Sequence, residues 1–180
     1  MTQLAVLRSR LQSLRLARAI VRWGSALALL VIGLAALWGA AFLLDWMLHG
    51  SKLLRAVSLA GWFAGLALLA RTLFGPLLRR SESLEQLALW VEGQHRLDGD
   101  LISALQFESP AARSWGSPRL SAAVVEYVAE FSRDLDVFTG FTWQPLPRRL
   151  AAALGTVVLA AGLIWAFPAH ASAFWNRFWL

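Results

Sequence analysis

The chain has 180 residues, of which 58% are hydrophobic and 16% charged, against about 45–50% apolar and about 25% charged in soluble domains. It has no cysteine, and its three histidines, His49, His95 and His170, lie far apart in sequence, so disulfide frameworks and Cys-ligated metal sites are excluded and other metal chemistry starts with few ligands. The net charge is +6, but residues 81–147 carry four arginines against ten acids, a net of −6, while the remainder carries 13 basic residues against Asp45 alone. Basic residues flanking apolar runs are membrane topology signals rather than a phosphate-binding surface, so nucleic acid is not an expected partner.

Residues 1–22 read as a basic helical segment. Leu4, Leu7, Leu11 and Leu14 recur at spacings of 3, 4 and 3, a helical stripe, and Arg15, Arg18 and Arg22 continue on nearly the same side. The expectation is a basic extension of the first span that touches anionic headgroups. Residues 23–44 hold 22 positions without a charge, and roughly 20 helical residues cross the hydrocarbon layer. A signal peptide has a shorter apolar core and a small-residue cleavage site; here Asp45-Trp46-Met47 follows instead, so the helix is expected to be retained.

The second run covers about 53–74. Its charge-free core, 56–70, is bracketed by Arg55 and Arg71, whose long side chains reach the headgroups and let the span attain full length. Residues 23–74 therefore read as a hairpin with spans at about 23–45 and 53–74 and a turn at His49-Gly50-Ser51. Asp45 is expected to be hydrated or to pair with Lys52 or Arg55. Ala35-x-x-x-Gly39 and Gly61-x-x-x-Gly65 offer close helix approach. The spans hold few polar groups, among them Ser25, Ser58, Thr72 and Thr156.

Residues 75–149 read as a helical insert. Ser81 and Ser83 are candidate N-caps, and Ser83 with Gln86 has capping-box spacing. Leu84, Leu87, Ala88 and Val91 form an apolar face, and Gly93 weakens the helix end near His95-Arg96. A second helix is expected over 99–108 with Leu101, Ala104 and Leu105 inward, stopped by Ser109-Pro110 and a loop over 111–116. Ser117-Pro118 starts a third, expected to run to about Asp136 with Leu120, Val124, Tyr127, Val128, Phe131 and Leu135 buried. Residues 138–147, with Gly140, Pro145 and Pro147, read as an irregular link.

The third span is expected at 150–167, preceded by Arg148-Arg149 and ended by Pro168. The tail, 168–180, contains Phe174, Trp175, Phe178 and Trp179 and reads as an aromatic helix on the outer leaflet. The lysine and arginine distribution places the N-terminus and the insert in the cytoplasm, and the 49–52 turn and the C-terminus outside.

The chemical motifs are weak. Asp98-Gly99-Asp100 is the best carboxylate pair, but no cation-binding loop follows, and acids at a helix start are favoured by its dipole. Ser51, Ser58 and Ser103 lack a His and Asp in triad arrangement, His49 is a turn residue, and neither a P-loop nor a G-x-G-x-x-G is present. No catalytic, cofactor-binding or metal residue is assigned, no cofactor is expected, and the chain does not read as an enzyme.

The order of features resembles the N-terminal region of a bacterial inner-membrane family designated domain of unknown function forty-one seventy-five. The matching features are the basic Leu/Arg start, Asp45-Trp46 and the turn from Gly75-Pro76 to Arg79-Arg80. They continue with the L-x-x-L-A-x-x-V-E helix from Leu84 to Glu92, the segment from Asp98 to Phe107, Gly116-Ser117-Pro118, and the Pro-Arg-Arg entry to the third span. The resemblance covers essentially the whole chain. It implies longer relatives with a large extracytoplasmic region beyond the part seen here, and it brings no established activity and no catalytic residues. The combined reading is an all-α membrane protein with three transmembrane helices and a small cytoplasmic helical insert between the second and third. It is expected to be an integral inner-membrane anchor or scaffold, in contact with the bilayer and with a protein partner through the insert or helix packing. The alternative is a transporter or channel subunit.

Overall fold

The structure is a computed structural model and describes residues 4–48, 52–79, 82–108 and 117–178. The expectations for His49, Ser51, Ser81, Ser109-Pro110, the 111–116 loop and Trp179 lie outside the described residues, as do the side chains of Lys52 and Arg55. Among the described residues the chain is all-α: α1 Ala5–Leu48, α2 Lys52–Arg79, α3 Leu84–His95, α4 Asp100–Phe107, α5 Pro118–Phe131, α6 Pro145–Ala166 and α7 Pro168–Phe178. Three of these helices, α1, α2 and α6, are long and apolar enough to cross a membrane.

The chain divides into two compact units. One comprises Met1–Ile20 with Ser81–Thr142; the other comprises Val21–Arg80 with Trp143–Leu180. We call them the leucine-core unit and the span unit. α1 is a single 44-residue helix that contributes its first part to one and the remainder to the other.

In the leucine-core unit, Leu4, Leu7, Leu11 and Leu14 are 0–1% exposed and pack with Leu87, Ala88, Val91, Leu101, Ala104, Leu105, Val125, Val128, Leu135 and Val137. This adds to the reading of the N-terminal segment. The segment is a helical extension of the first span, as expected, and its leucine stripe supplies a wall of the core formed with the insert. The insert alone is short for a core, and each leucine removed from water contributes on the order of 1.5–3 kcal/mol.

Local signals in α3 and α4 hold. Ser83 accepts from the Gln86 N–H while the Gln86 side chain accepts from the Ser83 N–H, both at 3.2 Å, closing the expected capping box. α3 continues through Gly93 and stops where Arg96 turns left-handed with φ 55°. α4 buries Leu101, Ala104 and Leu105, as its spacing requires.

α5 departs from expectation twice. It ends at Phe131, not near Asp136. Arg10 of α1 donates to the carbonyls of Ser132 and Leu135 at 3.2 and 3.0 Å, so those carbonyls are satisfied by a side chain instead of another helical turn. Only part of the expected stripe is buried: Val128 and Leu135 are inside and Val124 packs against the core, while Leu120, Tyr127 and Phe131 are 71%, 61% and 37% exposed and Val125 is buried in their place. Leu120, Tyr127 and Phe131 lie about a quarter-turn or more from the centre of the face, Val125 and Val128, that packs in the shared core.

In the span unit α2 runs through Pro76 to Arg79, past the turn expected at Gly75-Pro76. α6 begins at Pro145 rather than at residue 150, because proline suits the first helical turn, where its missing N–H costs nothing. α7 follows at once after Phe167, whose backbone leaves the helical region at φ −128° and ψ 58°.

Close packing against glycine in this unit uses one glycine of the expected motifs, Gly65, and two outside them, Gly33 and Gly24. A Cβ at Gly33 would lie 2.5 Å from Leu69 Cδ2, one at Gly65 2.8 Å from Leu37 Cδ2, and one at Gly24 2.6 Å from Leu146 Cδ1. Gly39 and Gly61 face nothing within 4 Å, so of the three motif glycines Gly65 alone receives a neighbour.

Candidate interaction surface

The carboxylate pair is brought to the start of α4 but into no cluster. Gly99 adopts φ 90° as the N-cap residue, with Asp98 exposed and Asp100 half-buried. Among the described residues no group of three or more His, Cys, Asp or Glu side chains could hold a metal. The side chain that meets the α4 N-terminus is instead Glu92 of α3. It is 4% exposed and accepts from the Ile102 N–H at 3.0 Å, which satisfies both a buried carboxylate and an orphan helix-end donor. His95 Nε2 lies 2.9 Å from the Asp136 carbonyl, tying α3 to the segment after α5. His170 makes an edge contact with Phe167 at 6.2 Å in the span unit. Ser103 lies within α4 and Ser58 within α2.

Several arginines read as topology signals have partners inside the leucine-core unit. Arg8 pairs with Glu108 at 2.8 Å and Arg18 with Glu82 at 3.4 Å. The Arg18 guanidinium also lies 4.9 Å from the Trp90 ring centroid, within cation–π range. Arg8, Arg10, Arg15 and Arg18 bring this unit from the insert's −6 to a net −2. The basic N-terminus is thus electrostatically matched to the acidic insert, with which it forms one compact unit.

Two surfaces stand out. The first is the outward face of α5. Leu120, Tyr127 and Phe131 fall at i, i+7 and i+11, with the Tyr127 and Phe131 rings nearly parallel at 6.3 Å. Exposed Glu126 and Glu130 run along one edge, with Arg119 before them. Their spacing in the sequence points to the core, where Leu120, Tyr127 and Phe131 do not lie. The signal that could have separated the faces is Glu126 and Glu130, which crowd the Tyr127–Phe131 side and leave Val125 and Val128 clear.

The second surface belongs to the span unit. Trp38 of α1 meets Trp62, Phe174, Trp175 and Phe178 at centroid distances of 4.8–6.0 Å. Phe42 meets Phe174 at 5.3 Å. Arg177 lies 3.8 Å from Asp45; the side chains of Lys52 and Arg55, the expected partners, lie outside the described residues. The aromatic tail therefore folds onto α1 and α2 rather than serving only as a lipid-facing belt. Between α1 and α2 an apolar groove of about 460 Å³ is lined by Gly33, Ala36, Leu37, Gly65, Leu68, Leu69 and Thr72.

Comparison with protein-family models, with curated proteins and with solved structures returned no match.

Proposed function

We propose that this chain is an integral protein of a bacterial inner membrane that anchors a cytoplasmic helical module and acts by binding a protein partner. The observation that carries the reading is the pairing of two structures in one chain. Three helices are long and apolar enough to span a bilayer, and a separate helical unit builds its own core while leaving the apolar face of α5 outside it. The bacterial inner membrane is the setting implied by the resemblance set out above, and the resemblance itself is part of the proposal.

The sidedness follows from charge. Arg79, Arg80, Arg148 and Arg149 flank the ends of α2 and α6 that adjoin the insert, and each basic residue near an anionic inner leaflet contributes about 1 kcal/mol. The N-terminus is then cytoplasmic and α7 extracytoplasmic. The test is impermeant thiol labelling of intact cells with a permeabilised outer layer. Arg119→Cys is expected to stay unlabelled and Ser172→Cys to label. The reverse pattern would overturn the orientation. Failure to recover any reproducible partner across several detergents would overturn the interaction role.

A further inference from the structure

We propose that the outward face of α5 is the docking site for a cationic amphipathic helix of a partner protein. The proposal rests on the interaction reading above and names its surface and the partner's chemistry. Leu120, Tyr127 and Phe131 are exposed along 11 residues of one helix face, about 16 Å at 1.5 Å rise, which matches three turns of a facing helix. Apolar anchors at i, i+3 or i+4, and i+7 are how a helix is read in such a mode. Tyrosine and phenylalanine are residues enriched at protein interfaces.

Charge selects among occupants. Glu126 and Glu130 are both exposed beside the apolar residues, and the unit as a whole remains acidic even with its N-terminal arginines included. Exposed Arg119 offsets one of these carboxylates, but the rim stays net acidic and is repelled by an anionic lipid surface, so the inner leaflet is a poor occupant. A partner helix with lysine or arginine flanking its leucines is drawn to the same rim, and rim charges raise association rate and specificity.

The experiment uses the full chain in zwitterionic nanodiscs. A fluorescent helical peptide of leucines at helical spacing flanked by lysines is titrated, beside a second peptide with the same leucines flanked by glutamates. The lysine peptide is expected to bind at least about tenfold tighter than the glutamate peptide. Leu120→Ser with Tyr127→Ser should weaken it about tenfold or more, and Glu126→Lys with Glu130→Lys should reverse the preference. All four side chains are exposed, and circular dichroism confirms that the variants keep their helices. Equal binding of the two peptides, or variants that bind like the parent, would overturn the proposal. So would quenching by brominated lipid of a dye at Leu120→Cys, which would put this face on the membrane, or loss of peptide binding on self-association, which would make a second copy the occupant. A chain with both lysine substitutions that still recovers the same partner from cells would remove this proposal and leave the anchor reading standing.

Discussion

The two units bury opposite kinds of residue. In the leucine-core unit the interior holds Leu4, Leu7, Leu11, Leu14, Leu87 and Leu101, each at most 1% exposed. In the span unit the buried residues are chiefly Ala26, Ala28, Ala41, Ala153 and Ser25, with Phe174 at the margin. There the large side chains point away: Leu154, Val158, Leu159 and Trp165 are 63–87% exposed. Water rewards burial of large apolar groups. Hydrocarbon does not, because lipid tails are as apolar as leucine, and helices there meet through small residues. The contrast is therefore one of solvent, written in residue size.

That contrast can be broken from either side. The largest effect is expected in the leucine core. Leu11 is 0% exposed, so Leu11→Ala should cost about 2–5 kcal/mol through lost transfer energy and a cavity. Limited proteolysis should then cut the 82–142 region earlier than in the parent while the span unit persists. In the span unit the expected damage comes from adding atoms. Gly33→Val must displace Leu69 and should cost about 1–3 kcal/mol, seen as a lower melting temperature in detergent. Gly61→Ala, which meets nothing within 4 Å, should leave that temperature unchanged. The smallest effect is expected on the outer face of α5. Phe131→Asp should cost less than about 1 kcal/mol, as surface substitutions do, and leave proteolysis of the leucine-core unit at the parental rate.

What could be read in the sequence follows the same division. The spans were legible because an uncharged run of helical length needs no partner to be recognised. The Ser83–Gln86 capping box was legible because both hydrogen bonds close within three residues. The leucine stripe was visible as a stripe, but periodicity states which residues share a face and not what meets it. Arg10 acts on carbonyls 122 and 125 positions away, and nothing local announces that. On α5 the stripe includes Val128 and Val124 correctly but passes over Val125, which is smaller than the Leu120, Tyr127 and Phe131 left outside. The Arg177 partner of Asp45 was not legible because it lies 132 positions away, on α7, which returns to the end of α1 through the aromatic contacts of Trp38 and Phe42.

The central claim is that two equally open surfaces face different solvents, and one labelling experiment addresses it directly. Leu120 of α5 is 71% exposed and Leu154 of α6 is 66% exposed, and the chain has no cysteine of its own. Single cysteines at these positions, in the protein reconstituted in nanodiscs open on both sides, are treated with a water-soluble maleimide. The account predicts fast labelling of Leu120→Cys and protection of Leu154→Cys until the lipid is replaced by denaturant. Labelling of both at similar rates in intact nanodiscs would contradict it.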